Sequence, residues 1–290
     1  MQQAVPGFAL PASARPAPRP PTILDSEILP LPQTAATRQT AAAQKAAAAR
    51  QAATSVLETI TVPDVDAVSD AVPDLSIQLA RTDQQHGEAA SLVKRRYAWR
   101  GYRVGGGPTD ANSITLLARW GRRVVGTLTA RLDSPTGLAC AQLYPEQVAH
   151  LRAQGARLCE FTRLAVDDAR HSARILATLC HVAFIYARQL QAATDLLIEV
   201  NPRHAAYYQR LLGFEQAGPL RRCPRVDAPA VLLRLALPKA EARLALAKAE
   251  TQLRPSGQGA AAPDSSRSMY GYGFSPPERQ RIANRLRAFN

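Results

Sequence analysis

Within residues 158–200 the sequence predicts a long helix, with apolar side chains at helical spacing, between two runs typical of strands. Few folds are compatible with this arrangement. Residues 173–191 repeat apolar side chains at helical spacing, whereas the preceding run ARLCEFTRLAVD and the following run TDLLIEV are typical of buried strands. Earlier in the chain, SITLLARW and RVVGTLTARLD meet at Gly121, which predicts an antiparallel hairpin. The order of strands and helices therefore predicts an α/β fold with a mixed sheet flanked by helices.

Composition divides the 290 residues into three regions. Residues 1–74 are rich in Pro and Ala, and we expect this low-complexity region to be largely disordered. Residues 75–238 contain the predicted strands and most of the helices, and they form the expected folded domain. Residues 239–290 combine an Ala-rich helix, a flexible linker and a terminal helix.

The positive charge belongs to the folded domain and the C-terminal region. The net charge is +13: residues 76–238 carry 22 basic and 12 acidic side chains, and residues 239–290 carry nine and four. Such a surface suits an acidic protein, an anionic membrane or a nucleic acid. No helix-turn-helix, zinc-finger or ribonucleoprotein motif accompanies it, so we do not expect a nucleic-acid partner.

Cysteine spacing and hydropathy predict neither a metal site nor a membrane span. The four cysteines are far apart in the sequence, and we expect Cys159 and Cys180 to be small buried side chains. No run reaches the roughly 18 apolar residues of a transmembrane helix. The N-terminus lacks the pattern of a secretory signal, so a cytoplasmic location is the expectation.

Three polar residues interrupt the buried strand LCEFTRLAVDD: Glu160, Thr162 and Arg163. A buried carboxylate is costly unless a partner or a function compensates for it. In a regular strand Glu160 and Thr162 face one side of the sheet and Arg163 faces the other, unless a bulge turns one of them. A structural ion pair is one explanation, and a reactive site is the other.

The segment VNPRHAAYYQRLLGF resembles part of the GNAT acyltransferase fold, in which a helix opens with Asn, a Tyr follows and Gly-Phe closes. Asn201, Tyr208 and Gly213-Phe214 fit this pattern, and the resemblance covers roughly residues 76–238. It implies a GNAT-like, mostly antiparallel sheet.

Most GNAT enzymes cradle the coenzyme A pyrophosphate with a Gly-rich loop, and this sequence has DDARHSARI at that place. Four side chains there could instead meet one phosphate, as on the phosphopantetheine arm of an acidic acyl carrier protein: Arg170, His171, Ser172 and Arg174.

The strand CEFTRLAV resembles the E-x-(S/T)-R strand of acyl-homoserine lactone synthases, and more closely that of the FeeM-type long-chain N-acyl amino acid synthases. The resemblance implies an enzyme without a permanent cofactor that moves a long acyl chain from a carrier protein to the α-amine of a free amino acid. A lactone synthase, a coenzyme A-dependent N-acetyltransferase and a basic protein that binds nucleic acid or a membrane surface are the alternatives.

The resemblance implies roles for the polar residues of this strand. Amide formation needs a neutral amine, so Glu160 is the expected general base, with Thr162 on the same face. Arg163 either holds Glu160 ionised or grips the carboxylate of the amino acid. Tyr208 either protonates the leaving thiolate or packs in the core. A backbone N–H at a bulge in this strand could bind the thioester oxygen.

The terminal segment SPPERQRIANRLRAF predicts a capped helix with an apolar stripe flanked by arginines. Ser275 and Glu278 have the spacing of a capping box, with Pro276 at the first helical position. Two interpretations remain open: the stripe docks on its own domain, or the helix makes peripheral contact with a membrane or an acidic partner.

Overall fold

The computed structural model describes residues 59–61, 75–98, 101–102, 111–252 and 269–288, all within the compact unit Gln51–Asn290. The expectations for most of residues 1–74 and for the linker 253–268 lie outside the described residues. Thr59–Thr61, which the sequence assigns to the low-complexity region, forms an edge strand that pairs with Leu75–Leu79.

The described strands form one mixed, mostly antiparallel sheet. They are β1 (Thr59–Thr61), β2 (Leu75–Leu79), β3 (Ser113–Trp120), β4 (Arg123–Leu132), β5 (Leu158–Val166), β6 (Asp195–Val200), β7 (Glu215–Gln216), β8 (Arg221–Cys223) and β9 (Ala228–Ala236). Their spatial order is β1-β2-β3-β4-β5-β6-β9-β7, and β8 pairs with the start of β9. The hairpin predicted at Gly121 is confirmed as the antiparallel pair β3 and β4. Only β5 and β6, joined by the long helix, pair in parallel.

Six α-helices are described. They are α1 (Asp83–Ala98), α2 (Pro145–Ala153), α3 (Ser172–Phe184), α4 (Pro202–Leu212), α5 (Leu237–Gln252) and α6 (Pro276–Arg287). A π-helical turn, Ile185–Leu190, extends α3, and short 3-10 helices occur at Ala139–Gln142 and Tyr270–Tyr272.

The helices cover both faces of the sheet. On one face, α1 buries Leu92 and Val93 against Ala165, and α2 packs with the 139–142 helix against Leu158 and Leu197. The opposite face carries α3, α4, α5 and α6. Because neighbouring residues of a strand point to opposite sides, Cys159, Phe161, Leu196 and Ile198 belong to this second face. We call the two sides the α1 face and the α3 face.

A glycine brings α3 unusually close to the sheet. A Cβ at Gly126 of β4 would lie 2.7 Å from Cγ2 of Ile175 and 3.0 Å from Cδ1 of Leu179. Interiors are packed too densely to accept such an atom without movement. Gly126 therefore allows α3 to lie directly on β4, beside the strand that carries Glu160.

The terminal helix docks on its own domain. The predicted capping box is present, with Glu278 accepting a hydrogen bond from the backbone N–H of Ser275 at 2.6 Å. Ile282, Ala283 and Leu286 are buried in the core of the α3 face. Since these side chains pack within the fold, the helix docks on its own domain, whereas contact of its arginines with a membrane or an acidic partner stays a prediction. None of the helices within the described ranges has the length and hydropathy to cross a membrane.

Candidate active site

The site lies where two parallel strands part. β5 and β6 pair only from Leu158 with Asp195 to Glu160 with Leu197. Beyond that point β6 continues to pair with β9 as far as Val200, whereas β5 pairs with β4 as far as Val166. A fork therefore opens immediately after Glu160, and the backbone edges that face into it are not joined to each other.

A bulge turns β5 within the fork. Thr127 of β4 is opposite Ala165 and Thr129 is opposite Thr162, so a single β4 residue faces Arg163 and Leu164 together. Arg163 has φ 52°, a left-handed conformation that is uncommon for a residue with a side chain. The bulge expected for this strand is thus present, and it reorients Arg163 relative to a regular strand.

Glu160 is buried at the base of the fork, with 1% of its surface exposed. Its two carboxylate oxygens accept hydrogen bonds from the backbone N–H groups of Ala139, at 2.7 Å, and Cys140, at 2.9 Å. Burial raises the pKa of Glu160 to about 7, and the two N–H bonds oppose that rise. The carboxyl can therefore hold or release a proton near neutral pH.

The ion-pair explanation of Glu160 does not hold, because its partners are backbone amides. Arg163 lies instead near Arg131 and Tyr97. Burial, and then the like charge of Arg131, lower the pKa of the Arg163 guanidinium. Two arginines thus approach each other beside the fork, an arrangement that favours an anion between or beside them.

A cavity of about 1080 Å³ runs through the fork. On the α1 face it is lined by Tyr97 of α1 and by Leu138 and Ala139, whereas on the α3 face it is lined by Phe184 and Leu244. Since these elements lie on opposite sides of the sheet, the cavity must pass between the strands. Five of the predicted site residues line it together: Glu160, Thr162, Arg163, Asn201 and Tyr208.

A half-buried ion pair, which the sequence interpretation missed, lies beside Glu160. Arg225 donates to Glu199 and also to the carbonyl oxygen of Ala139 at 2.9 Å. Glu199 raises the pKa of Glu160, and Arg225 lowers it, each less strongly than burial does. The signal that could have revealed Glu199 is the same as for Glu160, a carboxylate within the apolar strand TDLLIEV. Arg225 follows β8 in a turn without any motif.

Tyr208 projects from α4 into the cavity between other aromatic rings. Its ring makes edge contacts with Tyr207 and Phe214, with centroids 5.6 and 6.0 Å apart. Burial raises the pKa of the Tyr208 hydroxyl. The phenol therefore stays protonated at neutral pH and is suited to donate a hydrogen bond within the cavity.

The open end of the fork is bridged by Tyr102. The Tyr102 hydroxyl accepts hydrogen bonds from Nδ2 of Asn201, at 3.0 Å, and from Arg203, at 2.7 Å. Asn201 also caps α4, because its side-chain oxygen accepts from the N–H of Arg203 at 3.2 Å. Asn201, Arg203 and His204 all line the cavity here, so polar and cationic groups surround its mouth.

The four predicted phosphate ligands lie at the N-terminus of α3, and none of them lines the cavity as the described residues form it: Arg170, His171, Ser172 and Arg174. Asp168 accepts from the backbone N–H of His171, at 2.8 Å, and the two side chains are in contact. The ring of His171 also packs on Trp120, with centroids 4.5 Å apart. Asp168 thus binds His171, which precedes the first helical residue Ser172, and a phosphate ligand role for the four stays a prediction.

The cysteines are not joined by disulfide bonds, and Cys140, Cys159 and Cys223 are buried while Cys180 is half-buried. Burial raises the pKa of the Cys180 thiol to about 12, so it is not a thiolate at neutral pH. Among the described residues, no group of His, Cys, Asp and Glu side chains could hold a metal ion.

Comparison with known proteins supports an acyltransferase. The family model "N-acyl amino acid synthase FeeM" matches residues 88–236, just over half of the chain. The solved structure of FeeM, an N-acyl amino acid synthase from uncultured soil microbes, is 26% identical with a TM-score of 0.53, over 61% of this chain and 98% of that chain. Among curated proteins, none matches the sequence significantly.

Two further solved structures are more distant. An acyl-CoA N-acyltransferase from Pseudomonas aeruginosa is 16% identical with a TM-score of 0.41, over 56% of this chain and 99% of that chain. The AHL synthase LasI is 18% identical with a TM-score of 0.41, over 56% and 90%. Similarity at this level adds no argument to the assignment.

The matched region contains the forked strands, the bulge and both halves of the sequence resemblance. The chain therefore belongs to the FeeM family of N-acyl amino acid synthases and is an N-acyltransferase with a GNAT-like fold.

Proposed function

We propose that this N-acyltransferase moves a long-chain acyl group from the phosphopantetheine thioester of an acyl carrier protein to the α-amine of a free amino acid. The observation that carries the proposal is Glu160, a buried acid with a pKa of about 7 at the base of a fork that opens into a cavity. An α-amine is mostly protonated at neutral pH, so a base of this strength at the meeting point of amine and thioester is what the reaction needs.

In the proposed step the amine nitrogen attacks the thioester carbonyl carbon while Glu160 accepts a proton from the nitrogen, directly or through a water. The negative charge that develops on the carbonyl oxygen is stabilised by a backbone N–H of the bulged part of β5. The carbon–sulfur bond then breaks, the amide remains, and the phosphopantetheine sulfur leaves as a thiolate, which takes up the proton held by Glu160, directly or through a water. Tyr208 donates a hydrogen bond to that sulfur as its charge develops.

Arg163 holds the α-carboxylate of the acceptor in this proposal. A guanidinium can bind a carboxylate through two parallel hydrogen bonds, which orients the amine as well as binding the molecule. The nearby Arg131 adds a second positive charge on the same side. Thr162 lies on the cavity wall next to this position.

The carrier protein is the proposed donor for two reasons. At the position of the usual Gly-rich pyrophosphate loop the chain has DDARHSARI, and its Cβ atoms hinder close approach of a pyrophosphate to the backbone. The domain also carries a large positive charge, which suits an acidic carrier. The single phosphate of the arm would lie at the outer end of the fork, near Arg203 and His204 or near the predicted group at residues 170–174.

The direct test supplies the purified chain with one long-chain acyl group on either a carrier protein or coenzyme A, together with a mixture of amino acids. Mass spectrometry should detect N-acyl amino acids, with a higher kcat/KM for the carrier-protein thioester. Equal or better use of coenzyme A would reject the carrier protein as the preferred donor. Homoserine lactones formed from S-adenosylmethionine would reject the amino acid acceptor.

A further inference from the structure

Part of the cavity wall is built from residues beyond the family match, which ends at residue 236. Met269, Tyr270 and Gly273 line the cavity on the α3 face, and they belong to the segment Met269–Phe274 that leads into α6. We call this segment the C-terminal wall.

Backbone hydrogen bonds join the C-terminal wall to the end of α4. The N–H of Met269 donates to the carbonyl oxygen of Leu211 at 3.2 Å, and the Tyr270 hydroxyl donates to that of Leu212 at 2.7 Å. The last carbonyls of a helix have no partners within the helix, so these bonds satisfy groups that need them. The wall is therefore tied to the helix that also carries Tyr208.

A second attachment joins the wall to α3. The N–H of Phe274 donates to Nδ1 of His181 at 2.8 Å, and the two rings stack with centroids 5.0 Å apart. Both residues are buried. Since His181 also lines the cavity, the same side chain forms part of the wall and holds the segment in place.

Apart from His181 and Tyr270, the side chains at this end of the cavity are apolar, and they are tightly fitted. Met269 and Leu244 are buried, and Ala240 and Phe184 line the cavity beside them. A Cβ at Gly273 would lie only 2.3 Å from Cδ1 of Leu244, so no space separates the wall from α5. The cavity thus ends against a dense apolar surface on the α3 face, whereas its charged groups lie at the fork and on the α1 face.

We propose that the C-terminal wall is the end of the acyl-chain pocket and sets the length of chain that the enzyme accepts. This inference rests on the proposed function, because it takes the cavity occupant to be a hydrocarbon chain that extends from the thioester at the fork. Each methylene that fits in the pocket tightens binding of the acyl chain about fourfold, because it is removed from water. A methylene that would extend past the wall meets a fully packed interior, so it adds nothing to binding affinity.

Two substitutions should shift the preferred chain length in opposite directions. Met269→Ala removes side-chain volume from the wall and should move the maximum of kcat/KM to longer chains. Gly273→Ala forces the Leu244 side chain toward the cavity and should move the maximum to shorter chains, with a loss of about fourfold for each methylene that no longer fits. Should Gly273→Ala fail to fold, Leu244→Phe narrows the same end directly.

The matched control is Leu286→Ala, which removes a buried side chain of α6 that does not line the cavity. It should lower the midpoint of thermal unfolding and leave the chain-length profile unchanged. All variants are assayed with one even-numbered series of saturated acyl carrier protein thioesters. Identical profiles for the parent, Met269→Ala and a folded narrowing variant would overturn the proposal.

A binding assay separates this inference from the proposed function. Displacement of a fluorescent fatty acid by free fatty acids of graded length measures the pocket without turnover. A parent protein that forms no N-acyl amino acid would refute the proposed function, and the displacement profiles would still test the wall. Profiles that do not change with Met269→Ala would refute the wall even if the enzyme is active.

Discussion

Glu160 shows how the environment of one residue creates a usable base. Burial alone would keep the carboxyl protonated, whereas the N–H groups of Ala139 and Cys140 stabilise its charged form. The resulting pKa of about 7 lies near the pH at which a general base works best. The same two bonds anchor the 139–142 helix, so Glu160 also has a structural role.

Replacing Glu160 with Gln removes the base and keeps one of its two acceptor oxygens, so activity and stability are measured together. Glu160→Gln should lower kcat/KM by about 10²–10⁴-fold, the usual contribution of a general base. The parent rate should rise with pH through about 7 as the carboxyl loses its proton, and the variant should lack this step. Glu215→Gln, at an exposed carboxylate, is the control. A variant with the parent's rate and pH profile would remove Glu160 from the mechanism.

The same residue predicts a pH dependence of stability. The pKa of Glu160 is raised in the folded chain from an ordinary value near 4.5 to about 7, so the protonated form favours folding. Its contribution, roughly 3 kcal/mol by linkage, is fully present below pH 4.5 and is lost as the pH rises through 7. Denaturant unfolding across this range should show the parent losing stability relative to Glu160→Gln. A constant difference would contradict the raised pKa.

A second prediction at the scale of one residue concerns Tyr208. Because burial raises the pKa of its hydroxyl, the phenol is a hydrogen-bond donor rather than a strong acid. Tyr208→Phe should lower kcat by roughly tenfold to a hundredfold, the value of one hydrogen bond to a developing charge. Steady-state kinetics with Tyr272→Phe as control checks this, since Tyr272 does not line the cavity. An unchanged kcat would assign Tyr208 to packing alone.

At the scale of the element, the bulge in β5 combines backbone strain with a side chain that lines the cavity. Arg163 has φ 52°, and a left-handed residue with a Cβ costs about 1 kcal/mol relative to glycine. Strain at such a position persists where surrounding structure imposes it, and it is frequent at functional sites.

Arg163→Gly should therefore uncouple stability from binding. Unfolding free energy should stay equal or rise by about 1 kcal/mol, because glycine relieves the backbone. The KM for the amino acid should rise by roughly tenfold or more, because a charged hydrogen bond to its carboxylate is lost. Ala192→Gly is the matched control, since Ala192 also has φ 52° and lies away from the cavity. A KM that changes equally in both variants would reject the carboxylate role.

At the scale of the whole molecule, charge and topology act together. The fork opens a passage through the sheet, its polar groups collect at the mouth and on the α1 face, and apolar groups close its other end. The folded region between residues 76 and 238 carries 22 basic against 12 acidic side chains. An acidic carrier protein would be attracted to this field before any specific contact forms.

The attraction between the domain and an acidic carrier protein should weaken as the salt concentration rises. Raising the ionic strength shortens the screening length below about 10 Å and should lower kcat/KM for carrier-protein thioesters, mainly through KM. The acyl-coenzyme A reaction should depend less steeply on salt, because the ligand presents no extended acidic surface. Parallel salt titrations of the two donors measure the difference. Equal slopes would argue against an electrostatic carrier-protein interface.

The sequence by itself determined most of the element order, the family and five of the side chains that line the cavity at the fork. Apolar periodicity identified the α3 helix between two buried strands, and the charge at Glu160 marked β5 as unusual, because burial of a carboxylate needs a reason. Asn201 and Tyr208 came from the resemblance of VNPRHAAYYQRLLGF to the GNAT acyltransferase fold. These signals are local, so a single stretch of chain contains them.

Only the tertiary structure decided where β5 and β6 part, which groups hold the Glu160 carboxylate, and what closes the cavity. The amides of Ala139 and Cys140 lie about 20 residues from Glu160 in sequence, and the pair of Arg225 and Glu199 joins the turn after β8 to β6. The C-terminal wall reaches the cavity only because α6 buries its apolar stripe on the α3 face. Contacts between distant segments depend on packing and backbone geometry, and neither composition nor periodicity records them.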